Sequence, residues 1–164
     1  MAESRSSIPA EYKWDLSELF ESTEAFEEAF RRTACQIKEF PSFRETMCLS
    51  GSNLLKTLTA YNGIHRSLSV LFEYAERNSD VDLSDNAFQS IAARVRLLYN
   101  DFQSASFFFG PQLVKIPERA LRNWYLNEPE LKSYRRFIDG FRRYRKHTLP
   151  DRQEKILADL SNAL

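Results

Sequence analysis

Two histidines, His65 and His147, are the side chains of this sequence best suited to hold a metal ion or to move a proton. A zinc site on a helix needs two imidazoles four residues apart, with a glutamate beside the first to activate water. Neither histidine lies in such a pattern, because the glutamate is missing at both positions. We interpret both as packed or surface imidazoles and predict no metal ligand in the chain.

The stretch from Asp80 to Asp85 places acidic residues at alternate positions, as the opening of a calcium-binding loop does. An EF-hand loop also needs glycine at its sixth position and an acidic residue at its twelfth. This sequence has Asp85 and Ile91 there. The stretch is therefore interpreted as a helix cap, with Ser84 as the capping residue.

The remaining nucleophiles are not arranged for catalysis either. Cys35 and Cys48 show no metal-ligand spacing and are interpreted as buried small hydrophobic residues, with a disulfide between them left open. The sequence contains no glycine-rich phosphate loop, and no serine or cysteine lies near a suitable base. The sequence thus predicts no catalytic residue, and it assigns no substrate contact.

Charge is distributed unevenly along a chain whose 23 basic and 23 acidic residues cancel. Residues 1–30 hold eight acidic and two basic side chains, net −6, whereas residues 131–147 hold seven basic and one acidic, net +6. The second stretch alternates basic residues with aromatic ones at helical spacing, which predicts a helix with a cationic outer face and inward aromatic rings. That face could be solvated, paired within the chain, bound to an anionic peptide or partner lobe, or bound to nucleic acid.

Proline, glycine and 3.6-residue periodicity together divide the chain into six helical segments. After a short helical turn over 14–20, the helices are expected from Ser22 or Thr23 to Phe40, from Asn53 to Asn78 behind Ser52, from Ser84 to Phe109 before Gly110-Pro111, from Pro117 to Leu126, from Pro129 to His147, and from Pro150 onward. The connections between these segments are short, so the predicted fold is all-α, an antiparallel bundle of about six helices.

Length and composition narrow the class further. The 164 residues, 43% of them apolar, suffice for one sizeable core, so we expect 1–164 to be a single lobe with 1–12 extended or partly disordered. No stretch approaches the roughly 20 apolar residues that span a bilayer, and the start has no apolar segment typical of a secretion signal. With only two cysteines, the composition predicts a cytoplasmic location and no membrane partner.

Several stretches, taken in order, resemble the N-terminal region of oligoendopeptidase F, a zinc metallopeptidase of the thimet oligopeptidase-like group. They are Ile8 to Phe20 (IPAEYKWDLSELF), Leu71 to Ala75 (LFEYA) leading to Asp80-Val81-Asp82, Ala105 to Pro111 (ASFFFGP) and Tyr144 to Leu149 (YRKHTL). The resemblance spans nearly the whole chain, and it is the order and spacing of these stretches that make it specific.

The resemblance implies a role without chemistry for this chain. Family members are several times longer, and their H-E-x-x-H helix with its further glutamate ligand lies far downstream of the matched region. The chain is therefore expected to be a helical lobe that walls a peptide-sized channel, with no cofactor of its own and with zinc in the parent enzyme. The isolated chain is expected to be inactive as a peptidase.

The expected partners follow from the same resemblance and from the last helical segment. Ile156, Leu157, Leu160 and Leu164 keep apolar helical spacing up to the terminus. Such a stripe would pack on the missing C-terminal catalytic domain or on a second copy of the chain. The parent enzyme would bind an oligopeptide substrate, and nucleic acid is not an expected partner. The alternative is a stand-alone helical interaction module without enzymatic activity.

Overall fold

The computed structural model describes residue 9 and residues 15–81, 86–143 and 151–160. Within those ranges most residues are helical and none lies in a β-strand, which confirms the predicted all-α bundle. The described residues form seven α-helices: α1 (Thr23–Glu39), α2 (Gly51–Val81), α3 (Asn86–Ala105), α4 (Phe109–Lys115), α5 (Glu118–Asn127), α6 (Arg135–Arg143) and α7 (Asp151–Leu160). Two 3-10 helices, Phe40–Glu45 and Pro129–Tyr134, precede α2 and α6.

Side-chain caps mark the starts of the first two helices. The hydroxyl oxygen of Ser22 accepts a hydrogen bond from the backbone N–H of Ala25 at 3.2 Å, so Ser22 caps α1 as predicted. The second helix begins at Gly51, and the hydroxyl of Ser50 accepts from the N–H of Asn53 at 3.1 Å. The prediction of Ser52 as the cap was therefore wrong by two residues.

The segment around Phe107 to Phe109 differs from its prediction as the end of a long helix. The third helix ends at Ala105, a turn covers 106–108, and α4 begins at Phe109 with Gly110 and Pro111 in its first turn. Proline is tolerated there because the first N–H groups of a helix have no intrahelical acceptor. Gly110-Pro111 thus lies inside a new helix, which adds one helix to the six that the sequence predicts.

The prolines at 117 and 129 lie at helix starts, as predicted. Pro117 has extended backbone dihedrals and directly precedes α5. Pro129 opens a 3-10 helix before α6, where a single α-helix was expected. The described part of that segment ends at Arg143, so the expected continuation to His147 lies outside the described residues. The predicted extended state of 1–12 and the Ser84 cap also lie outside them, except for Pro9.

Contacts divide the chain into two compact units, residues 1–34 with 66–99 and residues 35–65 with 100–164. In the first unit α2 and α3 run antiparallel, because Ser79 bonds Gln89 while Glu76 pairs with Arg96. Its aromatic centre consists of Phe20, Phe26 and Tyr74, whose ring centroids lie 5.1–5.5 Å apart. Around it, the other buried apolar residues of this unit are Leu68, Leu71, Ala75, Ala92, Val95 and Leu98.

The second unit has a larger aromatic core. Tyr61 stacks on Phe109 with centroids 4.3 Å apart and planes 6° from parallel, and Phe40 stacks on Phe108 at 5.6 Å. Other members of this core are Met47, Leu54, Leu58, Phe102, Leu113, Leu121, Leu131 and Ile138, all buried. The predicted collapse of periodic helices around aromatic side chains is therefore confirmed within each unit.

Most of the predicted inward positions are buried or half-buried, with two corrections. The helical spacing of apolar residues in the sequence predicts that Phe72 and Tyr99 face the core, but each is 39% exposed. Their neighbours Leu71 and Leu98 are buried, and successive helical residues lie about 100° apart around the axis. Each ring therefore lies at the margin of its apolar stripe. No helix of the described residues has both the length and the apolar character that crossing a membrane would require.

Candidate functional site

The histidines and the acidic residues near Asp80 do not form a common site among the described residues. His65 is exposed on α2, one turn from Tyr61, and their rings lie 6.4 Å apart. Asp80 lies 3.6 Å from the Arg77 guanidinium, and His147 and residues 82–85 lie outside the described ranges. In the part of the chain that the structure describes, no three His, Cys, Asp or Glu side chains are grouped to hold a metal ion. These residues therefore do not fit the zinc ion that the resemblance implies for the parent enzyme.

Both cysteines were expected to be buried, and this was wrong. Cys35 and Cys48 are exposed and their thiols are free. Cys35 lies two positions from Thr33 and from Ile37, both buried, which places it on the opposite side of α1 from its apolar stripe. Cys48 lies in the turn after the 3-10 helix Phe40–Glu45.

Cys48 borders a surface cleft that sequence reasoning missed. The cleft has a volume of about 440 Å³ and is lined by Arg44, Glu45, Cys48, Gln112 and Lys115. We call it the Cys48 cleft. The Cys48 thiol contacts the backbone oxygen and the side-chain Oε1 of Gln112, at 3.7 and 3.8 Å. Although the residue is exposed, neighbouring atoms partly shield the sulfur from water, and this desolvation raises the pKa of the thiol. The charge of the Lys115 ammonium partly offsets that rise.

The cationic helix is paired with its own surroundings only in part. Arg142 is nearly enclosed, with 13% of its side chain exposed, and it donates to the carbonyl oxygens of Leu113 and Ile116 at 3.4 and 2.5 Å. It also pairs with the Glu118 carboxylate at 3.0 Å. Arg136 and Arg143 are exposed, and neither has an ion pair with another described residue. In α6, Arg142 therefore binds groups of its own unit, whereas Arg136 and Arg143 lie on a face exposed to solvent.

The aromatic residues of α6 face the protein interior, as the sequence predicts. Phe137 and Phe141 lie 6.2 and 5.8 Å from Phe109 between ring centroids, and Ile138 between them is fully buried. Base stacking by a nucleic-acid partner requires accessible aromatic faces. These rings pack against Phe109. The described part of α6 therefore lacks the accessible aromatic surface on which the bases of a nucleic acid would stack.

The last described helix is attached by its polar residues and exposes its apolar ones. Asp159 accepts a hydrogen bond from the Ser104 hydroxyl at 2.9 Å, and the Lys155 ammonium lies 5.7 Å from the centre of the Phe107 ring. The exposed fractions of its large apolar residues are 49% for Ile156, 52% for Leu157 and 54% for Leu160. An amphipathic surface helix normally has the opposite orientation. We call these three residues the α7 apolar face.

Comparison with known proteins gives consistent matches. The family model described as Oligopeptidase F matches residues 112–164. Oligopeptidase PepF of Bacillus subtilis (strain 168) is 29% identical over 98% of this chain and 24% of its own length. Group B oligopeptidase PepB of Streptococcus agalactiae is 26% identical over 98% of this chain and 27% of its own length. The chain therefore spans about a quarter of the length of the curated relatives it matches.

A solved structure has the same fold. The crystal structure of oligoendopeptidase-F from Enterococcus faecium superposes with a TM-score of 0.74 at 24% sequence identity. The match covers 82% of this chain and 26% of that one. The solved structure shows a shared fold, and the sequence matches confirm that this chain is similar to oligoendopeptidase F proteins, as the ordered motifs predict.

Proposed function

We propose that the chain is the N-terminal lobe of a zinc metallopeptidase of the oligoendopeptidase F type, and that it walls the substrate channel rather than performing the chemistry. In the whole enzyme, metal-activated water would hydrolyse internal bonds of oligopeptides. The zinc ligands and the general base would come from a part of the protein beyond these 164 residues. A cytoplasmic location belongs to the same proposal.

The observation that carries this proposal is the orientation of α7. This helix contacts its own unit through Asp159 and Lys155. Its apolar residues Ile156 and Leu160 are exposed to water, whereas an apolar stripe normally packs against other protein atoms. Relatives about four times as long as this chain supply a reason, because they contain further polypeptide that can pack there. The α7 apolar face is thus proposed as the contact with the catalytic domain.

A first experiment reads the genomic sequence past the codon for Leu164. An open frame that encodes an H-E-x-x-H helix supports the proposal. A stop codon, with no adjoining gene for a catalytic part, contradicts it and favours a stand-alone interaction module. This reading separates the two without any protein chemistry.

A second experiment expresses the downstream catalytic part separately and adds it to this chain. We expect association and zinc-dependent cleavage of a quenched oligopeptide that neither part performs efficiently alone. Substituting both Ile156→Ser and Leu160→Ser is expected to weaken association by about tenfold or more, because two apolar side chains lose their burial.

The matched control substitutes two leucines elsewhere in the same unit that are more exposed still, Leu49→Ser and Leu126→Ser, at 71% and 74%. That variant should associate like the unaltered chain. The proposal fails if the unaltered chain does not bind the catalytic part, or if the α7 and control variants lose affinity equally.

A further inference from the structure

The solvent-exposed side of α6 carries two arginines that no described side chain neutralises. Arg136 and Arg143 are exposed, and neither has a hydrogen bond, an ion pair or a ring contact with another described residue. They are seven positions apart, which is close to two full helical turns. They therefore lie on the same side of the helix, about 10 Å from each other along its axis.

The other charged groups of α6 are neutralised within the chain. Nε of Arg135 lies 3.8 Å from the carboxylate of Asp139, which is the one acidic residue of this helix. Arg142 pairs with Glu118 at 3.0 Å and also donates to a backbone carbonyl oxygen beside α4. The two arginines on the exposed side therefore keep their positive charge uncancelled.

Gly140 lies between these two arginines on the same side of α6. It is four positions after Arg136 and three before Arg143, the spacing of neighbours on one helical face. A Cβ atom at this position would have no described atom within 4 Å, so packing of the described chain does not require glycine there. Glycine is also less favourable than alanine within a helix. The arginines thus flank a stretch of bare backbone that a second chain can approach closely.

The opposite side of α6 is anchored in the second compact unit. Ile138 is fully buried, and the rings of Phe137 and Phe141 pack against Phe109. These contacts fix the position of the helix before any partner arrives. A surface that is already ordered loses less conformational entropy when it binds.

We infer that this side of α6 binds an extended acidic peptide segment of another polypeptide, with the peptide backbone over Gly140 and one carboxylate on each of Arg136 and Arg143. Residues three positions apart in an extended chain are about 10 Å apart, which matches the separation of the two arginines along the helix. Guanidinium groups bind carboxylates through paired hydrogen bonds. This site is independent of the proposed peptidase role, since it requires only α6 and the unit that holds it.

The first test titrates the isotopically labelled chain with three hexapeptides at low ionic strength and follows the backbone amide signals of α6 by NMR. The peptides are acetylated and amidated, so that only their side chains are charged. One has two glutamates three positions apart, the second has adjacent glutamates, and the third has glutamines at the spaced positions. We expect the spaced glutamates to bind about threefold more tightly than the adjacent ones, and the glutamines not to bind. Added salt should weaken the binding.

The second test removes the charges. Arg136→Gln with Arg143→Gln should weaken binding of the spaced peptide by about tenfold, as expected for the loss of two exposed ion pairs. The matched control, Lys38→Gln with Lys56→Gln, removes the same charge from exposed side chains of the same unit. The control variant should bind the peptide like the unaltered chain.

A third test separates peptide binding from helix packing. Gly140→Ala should raise the urea midpoint of the chain, because alanine favours the helix, and should weaken peptide binding about threefold, because its methyl group occupies the space over the backbone. The control is Gly63→Ala, since a Cβ atom at Gly63 also meets nothing within 4 Å. This variant should raise the midpoint without changing the affinity.

The inference is overturned if the glutamine peptide or the adjacent glutamates bind as tightly as the spaced glutamates, or if the affinity survives the loss of both arginines. It is equally overturned if Gly140→Ala leaves the affinity unchanged. A single-stranded trinucleotide with the same two negative charges is the remaining comparison. If it binds as tightly as the spaced peptide, the partner is a nucleic acid rather than an acidic peptide.

Discussion

Glu27 and Arg94 form a two-pronged ion pair within the first compact unit. Oε1 and Oε2 of the carboxylate lie 2.6 and 2.9 Å from the two terminal nitrogens of the guanidinium. The same guanidinium lies 4.6 Å from the centroid of the Phe30 ring. Bidentate geometry and the aromatic contact hold the charged groups in register, so this pair is a stronger candidate for stabilisation than an isolated surface pair.

Replacing Glu27 by Gln is expected to lower the free energy of unfolding at neutral pH by about 0.5–1 kcal/mol, a modest value because both side chains are partly exposed. The hydrogen bonds from Arg94 hold the pKa of Glu27 below its ordinary value. The pair's contribution is therefore complete above the unfolded pKa of about 4.3 and disappears as the pH falls through the lower pKa of the folded state.

Urea denaturation at pH 7 and at successively lower pH measures this difference. Glu28→Gln is the control, because the neighbouring carboxylate is exposed and has no described partner. A Glu27→Gln variant as stable as the unaltered chain at pH 7, or a difference that grows in acid, would contradict the assignment.

Arg142 is expected to be the most sensitive basic residue of α6. Arg142→Met removes the donor to the carbonyl oxygens of Leu113 and Ile116, at the end of α4. These acceptors would lose their partner, so the free energy of unfolding should fall by about 1–3 kcal/mol. Arg142→Lys should recover only part of the loss, because an ammonium lacks the planar fork of a guanidinium.

Thermal unfolding compared with Arg143→Met checks this prediction. Arg143 is exposed and follows Arg142 directly, so its replacement should change the free energy of unfolding by less than about 0.5 kcal/mol. Equal losses at the two positions would mean that the hydrogen bonds from Arg142 to Leu113 and Ile116 do not contribute to the free energy of unfolding.

Two glycines of α2 should respond oppositely to alanine. A Cβ atom at Gly51 would lie 2.9 Å from Cβ of Trp124 and 3.1 Å from Cγ of Glu128, so Gly51→Ala should cost about 1–3 kcal/mol. A Cβ atom at Gly63 meets nothing within 4 Å. Gly63→Ala should therefore stabilise the chain by about 0.5–1 kcal/mol, since it restricts the unfolded backbone and improves helix propensity.

Guanidinium denaturation of both variants gives the sign directly. Stabilisation by Gly51→Ala would show that Trp124 does not approach α2 as closely as the structure has it. Destabilisation by Gly63→Ala would indicate a neighbour at a position that the structure leaves open.

Tyr125 carries a buried hydroxyl without a hydrogen-bond partner among the described residues. Burial is the main cause of the raised pKa of this group, and the nearby Asp139 carboxylate adds to it. Tyr125→Phe removes an unsatisfied polar atom and keeps the ring over which Arg135 lies at 5.9 Å. The free energy of unfolding should stay unchanged or rise by up to about 1 kcal/mol.

Tyr125→Leu is the comparison, because it removes the ring as well as the hydroxyl. We expect this variant to lose about 1–3 kcal/mol by urea denaturation. A loss of that size already at Tyr125→Phe would mean that the hydroxyl has a stabilising partner.

Helix positions were largely predictable because the signals are local. Three of these signals act through neighbouring residues of one chain segment. They are the apolar stripe of Phe26, Ile37 and Phe40, the Ser22 cap, and Pro117 before α5. The same reasoning failed at Gly110-Pro111. A proline is compatible both with the end of one helix and with the first turn of the next. The residues around Pro111 do not distinguish these two positions.

The amino-acid sequence by itself determined the all-α fold class, the inward orientation of the α6 aromatic residues and the resemblance to oligoendopeptidase F. These features follow from periodicity, helix-stop residues and motif order, which are local properties of the sequence. Tertiary structure alone decided that Cys48 meets Gln112, 64 positions away, and that Arg142 clamps α4. The exposed apolar residues of α7 agree with the uncovered stripe that the sequence predicts, and the tertiary structure adds that Ser104 bonds this helix through Asp159. Such contacts depend on where separate helices pack, and helical periodicity defines a face without specifying what lies opposite it.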